Sequence, residues 1–263
     1  MQNNMRDRAI DMMKGLAILL MLLGHQFQMP GYDEYIVPVI YSFHMPLFFI
    51  IAGYFFTFKY DFLQALKNDA RRLLVPYFVT VGVICLYAFW TYYIRISNHD
   101  TANHMFMSVL FPSGNPLADG GPWWFLLAIF WSKTIFHILV KQKCIYVGIC
   151  LSLLLSLVSI YNSDVLCKYL PLELCQGASA IIFFAFGYIV ALHKPLLAKY
   201  KKAIFLLSLV MWILAMCFSG IFMSSAKFVN FPVALFGALG GTYCVYIFSQ
   251  FLIRRLEGGQ WSM

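Results

Sequence analysis

The chain has 263 residues, of which 62% are hydrophobic and only 11% are charged. Soluble domains carry about 25% charged residues, so this composition excludes an ordinary soluble domain and indicates a protein embedded in lipid. The formal net charge is +8. No basic run with interleaved aromatic residues forms a nucleic-acid groove, and the charge instead fits loops near anionic headgroups. Nucleic acid is therefore not an expected partner, whereas membrane lipids are.

Hydropathy predicts a single all-α domain over residues 1–263, built as a polytopic transmembrane helical bundle of about eight spans. Unpaired backbone groups cannot face lipid, and the period-two alternation of a barrel is absent, so the spans should be helices. The first apolar run has no small-x-small cleavage site after it, so it is predicted to be a retained span rather than a signal peptide. The predicted spans are residues 9–28, 36–57, 73–94, 122–140, 144–161, 176–192, 203–223 and 229–252.

Basic residues predict the orientation of these spans. With the N-terminus inside, 16 of the 19 Lys and Arg residues fall on the inner side, and the other three are Arg95, Lys168 and Lys227. One of the sixteen, Lys133, lies within the fourth span. This asymmetry predicts cytoplasmic N- and C-termini, in a membrane of the bacterial inner (plasma) type. The longest predicted outer loop, residues 95–121, is expected to be a solvated connector.

The first span carries three ionisable groups, Asp11, Lys14 and His25. Asp11 and Lys14 are three residues apart and can pair on one helical face. Lys14 and His25 are eleven apart, which places them on a shared face, roughly 16 Å apart along the helix axis. Ionisable groups inside a bilayer are costly and are therefore functional candidates. The alternative is that Lys14 snorkels to the interface and His25 is a structural histidine.

The second span holds His44 next to Pro46, which frees a backbone carbonyl that a neighbour must satisfy. Gly53 permits close approach of another helix. A short loop joins the first two spans, so His25 and His44 are predicted at similar depth, where they could meet. A lone membrane histidine is commonly structural, but two on adjacent spans favour a functional pair. Tyr41 and other aromatic residues at the outer ends of spans are explained by the interfacial aromatic belt.

Arg71 and Arg72 lie at the predicted cytoplasmic start of the third span. They either anchor the helix under the positive-inside rule or clamp phosphates, which arginine binds in bidentate geometry. The two interpretations carry equal weight from sequence.

The fourth span begins with Trp123 and Trp124 on its outer side. Their rings either stack on a sugar or anchor the helix at the interface, which is the commoner cause. Deeper in the span, Lys133 has His137 one turn on, and it either snorkels or lines the same cavity. Trp123, Trp124 and Lys133 are thus candidates for an acceptor cavity.

The seven cysteines show neither a CxxC motif nor metal-ligand spacing, so no disulfide framework and no metal site are predicted. Cys167 and Cys175 share one predicted loop. They would pair if that loop faced an oxidising compartment, but the pattern favours free thiols.

Several motifs, taken in chain order, resemble the integral-membrane acyltransferase family 3, and within it the polysaccharide and fucose O-acetyltransferase branch. Each motif alone is weak, but their order is specific and covers almost the whole chain. The motifs are Asp11-x-x-Lys14-Gly15 with Gly24-His25, Phe43-His44-Met45-Pro46-Leu47-Phe48-Phe49 with Gly53-Tyr54, Leu73-Leu74-Val75-Pro76-Tyr77, Trp124-Phe125-Leu126, and Phe183-Phe184-x-Phe186-Gly187-Tyr188.

The resemblance implies an O-acyltransferase that moves an acetyl group from acetyl-CoA to a sugar hydroxyl of a cell-surface glycan or its lipid-linked precursor, without a tightly bound cofactor. It implies that Lys14 and His25, which match a cation and a histidine on the family's first span, serve the activity. His25 would take the hydroxyl proton as general base, a step worth roughly 10²–10⁴-fold. His44 would orient His25 or polarise the thioester carbonyl. The donor's phosphates would bind near Arg71, Arg72 and Lys14.

The chain also departs from the family pattern. Ala52 replaces a usual serine, and an Arg-x-x-Arg pattern is reduced to Arg71 and Arg72. Family members usually have about ten spans, so the resemblance leads us to expect a truncated form lacking two C-terminal spans. Two alternatives stay open: a transporter or flippase for a glycan or small solute, against which the missing internal repeat counts, and a non-catalytic membrane partner. The sequence does not predict the oligomeric state.

Overall fold

The computed structural model describes residues 7–26, 32–107, 123–140 and 144–258, without the side chains of residues 25–26, 32–35, 196–197 and 257–258. The helices are α1 (Arg8–Gln26), α2 (Tyr32–Tyr41), α3 (His44–Tyr54), α4 (Phe62–Asp69), α5 (Val75–Ala88), α6 (His99–Met107), α7 (Trp124–Leu139), α8 (Ile145–Tyr161), α9 (Ser163–Tyr169), α10 (Leu174–Leu192), α11 (Lys194–Lys199), α12 (Lys201–Phe218) and α13 (Phe231–Gly258). Two π-helical segments (Ala70–Leu74 and Phe89–Arg95), a 3₁₀ turn (Met223–Ser225) and strands β1 (Gly220–Phe222) and β2 (Lys227–Val229) complete the described elements.

The helices confirm the predicted all-α polytopic fold. Within the described residues, a sixth span is obtained only if α8 and α9, which are bent by 90°, are counted together. α7 is apolar but has only 16 residues, and α1 carries Arg8, Asp11 and Lys14. The count of eight spans therefore stays a prediction. The helices long and apolar enough to cross a membrane are Ile36–Tyr54, Phe62–Arg95, Leu174–Leu192, Lys201–Phe218 and Phe231–Leu256.

The chain divides into two compact units, a division that composition and hydropathy do not signal. The first unit comprises Met1–Ile51, Ile189–Ile221 and Phe228–Met263, and the second comprises Ala52–Tyr188 and Phe222–Lys227. The prediction of a single domain stays a prediction.

Small residues pack the helices of the first unit. α1 contacts α2 and α13, and α12 pairs with α13. A Cβ atom at Gly237 would overlap that of Ala215, and one at Gly240 would meet the carbonyl oxygen of Ser208. The α12–α13 pair therefore depends on glycine for its close approach, as is common where helices associate in lipid.

A two-residue turn breaks the second predicted span between α2 and α3. Pro46 lies in the first turn of α3 and has no N–H to offer the carbonyl of Ser42, four residues earlier. The amide of Ser42 donates to Pro38, and the helical ladder resumes where the amide of Leu47 donates to the Phe43 carbonyl at 2.9 Å. The structure thus places a change of helix next to His44.

The third predicted span is longer in the structure. α4, α5 and the two π-helical segments form one helix from Phe62 to Arg95, which begins eleven residues before the predicted start. The first π-helical segment precedes Pro76, and the amide of Val75 bonds the carbonyl of Ala70, five residues back. The wider π turn accommodates the proline ring, whose missing N–H would otherwise interrupt an α-helix.

Serine and glycine let α10 pack closely in the second unit. The Ser132 hydroxyl of α7 donates to the Gly177 carbonyl at 2.6 Å, and the Ser156 hydroxyl of α8 donates to the Ala178 carbonyl at 2.9 Å. A Cβ at Gly53 of α3 would overlap the Phe184 carbonyl oxygen of α10, which confirms the predicted close approach at this glycine.

The seventh predicted span ends early. α12 stops at Phe218, and β1, the 3₁₀ turn and β2 form a short hairpin before α13. Two residues with positive φ, Ala226 at 52° and Asn230 at 50°, turn the chain. The Asn230 side chain donates to the Phe218 carbonyl and so caps the end of α12. The prediction that the span continues to residue 223 was therefore wrong for residues 219–222, and residue 223 already belongs to the 3₁₀ turn.

Candidate functional site

His44 is held by its own backbone. The imidazole is 2% exposed, and its Nδ1 lies 2.8 Å from the carbonyl oxygen of Ile40. A carbonyl oxygen can only accept, so Nδ1 carries a proton. In a neutral ring Nε2 is then an acceptor, which could receive a hydrogen bond but could not donate one.

Tyr41 contacts both the His44 ring and the backbone next to His25. Its ring stacks on the His44 ring with centroids 5.1 Å apart, and its hydroxyl donates to the Gly24 carbonyl at 3.2 Å. Gly24 directly precedes His25 in α1. The arrangement supports the prediction of similar depth for His25 and His44. The His25 side chain lies outside the described residues, so contact between the two imidazoles stays a prediction.

Two further helices fix the turn that presents His44. The indole N–H of Trp212 in α12 donates to the Ser42 hydroxyl at 2.9 Å, and that hydroxyl donates to the Val39 carbonyl at 2.7 Å. The Phe43 ring meets Trp212 edge-on at 5.2 Å. A Cβ at Gly241 of α13 would lie 2.8 Å from the Cβ of Phe43. Packing and hydrogen bonds therefore position the His44 backbone before any ligand binds.

Lys14 and Asp11 pair on one face of α1, as predicted, with Nζ and Oδ1 3.8 Å apart. The Lys14 side chain is 40% exposed. An ion pair this long and this accessible contributes little to stability, in the range of about 0–1 kcal/mol. The pair is thus better suited to holding Lys14 on the His25 face of the helix than to holding the fold together.

Lys133 lies against an acidic partner in the second unit. Its ammonium is 2.6 Å from Oδ1 of Asp69, and the two side chains are 32% and 11% exposed. Asp69 ends α4, directly before the π-helical segment that contains Arg71 and Arg72, and both α4 and this segment contact α7. The ion pair therefore ties the basic segment to α7. This contact was not among the sequence predictions for Lys133, which were snorkelling or lining a cavity.

His137, one turn beyond Lys133, is surrounded by aromatic edges. The rings of Phe56, Phe58 and Phe62 each lie 5.5 Å from the imidazole and nearly perpendicular to it. α7 thus places a cation and an imidazole on one face, with the Asp69 carboxylate against the first and a phenylalanine cluster around the second.

Arg71 borders an apolar strip along the start of α5. Both Arg71 and Arg72 are exposed. The strip is an open surface on one side of the helix Phe62–Arg95 and consists of Ala70, Arg71, Leu74, Val75, Phe78 and Val79. An exposed guanidinium can bind a phosphate in bidentate geometry. The apolar residues next to it fit the lipid-facing side of a membrane-spanning helix.

The tryptophans at the start of α7 are packed rather than presented. Trp123 contacts a buried cluster of Tyr77, Val81 and Leu127, and Trp124 is 8% exposed. Stacking on a sugar needs an accessible ring face. The structure provides a packing role for both rings, and their place in an acceptor cavity stays a prediction.

The predicted site residues divide between the units. Lys14, His25 and His44 belong to the first unit, whereas Arg71, Arg72, Trp123, Trp124 and Lys133 belong to the second. Two further residues, Tyr41 and Asp69, have specific contacts that the sequence patterns do not predict. Tyr41 was assigned to the aromatic belt, although its position three residues before His44 was a signal for contact on one helical face. Asp69 is 64 residues from Lys133, and no local pattern signals so distant a pair.

Comparison with known proteins gives a family match and two partial relatives. A family model described as an acyltransferase domain matches residues 7–261. The nodulation protein NolL of Sinorhizobium fredii (strain NBRC 101917 / NGR234) is 37% identical over 83 residues, which cover 28% of this chain and 23% of the relative. The nodulation protein NolL of Mesorhizobium japonicum (strain LMG 29417 / CECT 9101 / MAFF 303099) is 37% identical over 83 residues, covering 28% and 22%. The matches thus span less than a quarter of these relatives. No solved structure matches the chain significantly.

Proposed function

This chain belongs to the acyltransferase domain family, and from that we propose that it is a membrane O-acyltransferase which moves an acetyl group from acetyl-CoA to a sugar hydroxyl. The acceptor is a cell-surface glycan or its lipid-linked precursor. The observation that carries the proposal is the contact of one tyrosine, Tyr41, with both the His44 ring and the backbone next to His25. The contact brings the backbone at His25 next to the His44 ring, and an imidazole at this place is suited to general base chemistry.

His25 acts as the general base in the proposed reaction. It takes the proton of the sugar hydroxyl while the hydroxyl oxygen attacks the thioester carbonyl carbon. The carbon–sulfur bond then breaks, and the CoA thiolate leaves with the proton that His25 held. One proton and one acetyl group are transferred, and no redox partner is needed.

His44 orients His25 rather than polarising the thioester. Polarising a carbonyl requires an N–H donor, but the Nδ1 proton of His44 is already donated to Ile40, and Nε2 of the neutral ring accepts. That acceptor is suited to a hydrogen bond from one nitrogen of His25, which leaves the other nitrogen of His25 as the base. The bond to Ile40 thus favours one of the two roles that sequence left open.

Arg71 and Arg72 bind the donor's phosphates in the proposed reaction. The exposure of both guanidinium groups supports this placement, because an accessible arginine can bind phosphate in bidentate geometry. Under the predicted topology this end of the helix faces the cytoplasm, where acyl-CoA is available.

Purified protein incubated with acetyl-CoA and a panel of sugar acceptors tests the proposal. We expect release of free CoA thiol that depends on the acceptor, together with an acetylated product of matching amount. A His25→Ala protein of equal folded yield should release thiol at a background rate. If the native protein releases CoA thiol only at a background rate that does not depend on the acceptor, and if it moves solute across liposome membranes, a transporter is favoured instead. Neither activity would favour the non-catalytic partner.

A paired substitution tests the donor site. Replacing both Arg71 and Arg72 by Gln should weaken acyl-CoA binding by roughly tenfold or more, since two charge-assisted phosphate contacts are lost. The matched control replaces Arg254 and Arg255, another adjacent and exposed pair, and should leave binding unchanged. Binding is measured per molecule of membrane-inserted protein. Equal affinities for the two variants would return Arg71 and Arg72 to the anchoring role.

A further inference from the structure

We propose that Cys167 and Cys175 are an oxidation site that forms a reversible intramolecular disulfide. Their sulfur atoms are 3.0 Å apart, a separation that needs only a small shift for bond formation. Sequence alone favoured free thiols. The structure adds that α9 and α10, both in the second unit, direct these two side chains at each other.

The turn between α9 and α10 holds the two thiols in register. Leu172 and Glu173 adopt positive φ values of 56° and 59°. Residues other than glycine rarely adopt this backbone conformation. The indole N–H of Trp131 in α7 donates to the Leu172 carbonyl at 2.8 Å and so fixes the turn. The separation of the thiols is therefore set by backbone geometry and not only by rotamer choice.

The other side of α9 is fixed as well. The Cys167 sulfur lies 3.6 Å from the Ser225 carbonyl, and the Lys227 ammonium lies 2.6 Å from Asp164. The Gln176 side chain next to Cys175 donates to the Ser224 carbonyl at 3.0 Å. The 3₁₀ turn and its flanks thus contact both cysteine-bearing helices, and oxidation requires no rearrangement of them.

The chemistry is thiol–disulfide exchange with a disulfide-bearing oxidant, either a small molecule or a protein. Cys167 is partly accessible, whereas Cys175 is fully buried, so the oxidant reaches Cys167 first, and this sulfur attacks once its thiol has lost its proton. A mixed disulfide forms at Cys167, and one thiol of the oxidant is released. The Cys175 thiolate then attacks the Cys167 sulfur and displaces the second thiol. The oxidant gains the two electrons and two protons that the cysteines lose.

Counting accessible thiols in the native chain tests the proposal. The folded protein is treated with oxidised glutathione, denatured without reductant and labelled with a maleimide of defined mass. The maleimide labels and glutathione adducts on the chain, counted together by intact mass because exposed cysteines also form adducts, should total seven after reduction but only five after oxidation. Cys150→Ser, which removes an exposed cysteine of α8, is the matched control: it should lower the total by one in both states and keep the difference of two. A total of seven after oxidation, or disulfide-linked dimers on a non-reducing gel, would overturn the proposal.

Two single substitutions test the order of events. In Cys175→Ser the second step is blocked, so a glutathione adduct should accumulate on Cys167 and be visible by intact mass. In Cys167→Ser the remaining thiol is buried, and no adduct is expected on Cys175. Equal adduct levels at the two positions would contradict the proposed route. If either variant fails to fold, the label count of the native chain alone decides for or against the disulfide. The proposal is independent of acyl transfer and stands or falls separately from it.

Discussion

The hydrogen bond from His44 to Ile40 separates two ways of replacing this histidine. The amide nitrogen of Asn lies near the place of Nδ1 in His, whereas that of Gln reaches nearer the place of Nε2. We expect His44→Asn to keep the bond to the carbonyl and hence the yield of folded protein, while losing the Nε2 acceptor. His44→Gln should lower the yield because the buried Ile40 carbonyl loses its shorter hydrogen bond and keeps only the 3.4 Å bond from the Phe43 amide, at a cost of about 0.5–1.5 kcal/mol.

Acyl transfer by these two proteins is measured per folded molecule. If His44 orients the base, His44→Asn should lower kcat by roughly tenfold or more and leave the KM for acyl-CoA nearly unchanged. Full activity of His44→Asn would show that the residue serves only to hold the turn between α2 and α3.

Two substitutions of His25 likewise distinguish a catalytic role from a structural one. If it is the general base, His25→Ala should lower acetyl transfer by roughly 10²-fold or more with little change in folding. Gln keeps the size of the side chain and a hydrogen-bond donor but cannot take a proton near neutral pH, so His25→Gln should be nearly as inactive. A structural histidine predicts the opposite ranking, in which Gln keeps activity and Ala loses protein. Substantial transfer by a well-inserted His25→Gln protein would remove this residue from the mechanism.

Close helix packing in the second unit depends on Gly53 but not on Gly82. A Cβ at Gly53 of α3 would overlap the Phe184 carbonyl of α10, whereas a Cβ at Gly82 of α5 meets nothing within 4 Å. Gly53→Ala should therefore force the helices apart and destabilise the protein by about 1–3 kcal/mol. Gly82→Ala is the matched control and should be neutral or slightly stabilising, because Ala favours a helix more than Gly does. Thermal unfolding in detergent measures both, and equal melting temperatures would contradict the packing argument.

The ion pair between Asp69 and Lys133 links the basic segment to α7. Asp69→Asn leaves the Lys133 ammonium without its carboxylate and should destabilise the protein by roughly 1–3 kcal/mol, less than for a fully buried pair because Lys133 is partly exposed. Exchanging the two residues, Asp69→Lys with Lys133→Asp, should recover part of that loss. A double-mutant cycle on unfolding free energies measures the coupling. A coupling energy near zero would show that the short distance contributes no stability.

The agreement between predicted spans and observed helices has a simple physical origin. A run of apolar residues in lipid must form its backbone hydrogen bonds internally, and so α8 and α10 begin and end within two residues of their predicted bounds.

Interruptions of the helices have other causes. Pro46 and Pro76 were visible in the sequence, but whether a proline produces a turn, as before α3, or a π-helical segment, as before α5, depends on tertiary contacts. The hairpin after α12 rests on Asn230 and Ala226 in positive φ, for which hydropathy carries no signal.

Candidate site residues show the same limit. Residues related by helical spacing were predictable, and the pairing of Asp11 with Lys14 at three residues' separation is confirmed. The stacking of Tyr41 on His44 follows the same spacing, but an aromatic residue at the outer end of a span also fits the interfacial belt, so the sequence pattern does not distinguish the two roles. The pairs of Lys133 with Asp69 and of Trp212 with Ser42 join distant parts of the chain. Such pairs come from the packing of whole helices, which a single sequence does not encode in any local pattern.

At the scale of the whole molecule, two compact units share the residues that the family resemblance assigns to one reaction. The proposed base and its partner lie in the first unit, and the proposed phosphate-binding arginines lie in the second. The chain crosses between the units within α3, α10, β1 and β2. The two helices among these crossings carry motifs of the resemblance, which include residues 44–49 of α3 and residues 183–188 of α10. The residues proposed for one reaction are thus distributed over both units.

The orientation of the chain decides where this reaction takes place. The excess of Lys and Arg on one set of loops predicts cytoplasmic termini, with residues 95–121 outside and the region of Lys199 inside. Cysteines placed at Asn103 of α6 and at Lys199 of α11, both exposed, provide the test once the native cysteines that are exposed or partly accessible are replaced by Ser, namely Cys85, Cys144, Cys150, Cys167 and Cys217. A membrane-impermeant maleimide added to intact cells should label the first position and not the second. After permeabilisation both should react, which controls for thiol accessibility.

The same labelling also bears on the donor. If the result is reversed, with Lys199→Cys labelled in intact cells, Arg71 and Arg72 come to lie on the outer side, where acyl-CoA is absent. The proposed placement of the donor would then fail even if the protein proved to be an acyltransferase. With the predicted result, the arginines face the acyl-CoA pool, and the turn between α9 and α10 faces the opposite, oxidising side. Cys167 and Cys175 should then be found as a disulfide in protein isolated with thiols blocked at lysis, and as free thiols if the orientation is inverted.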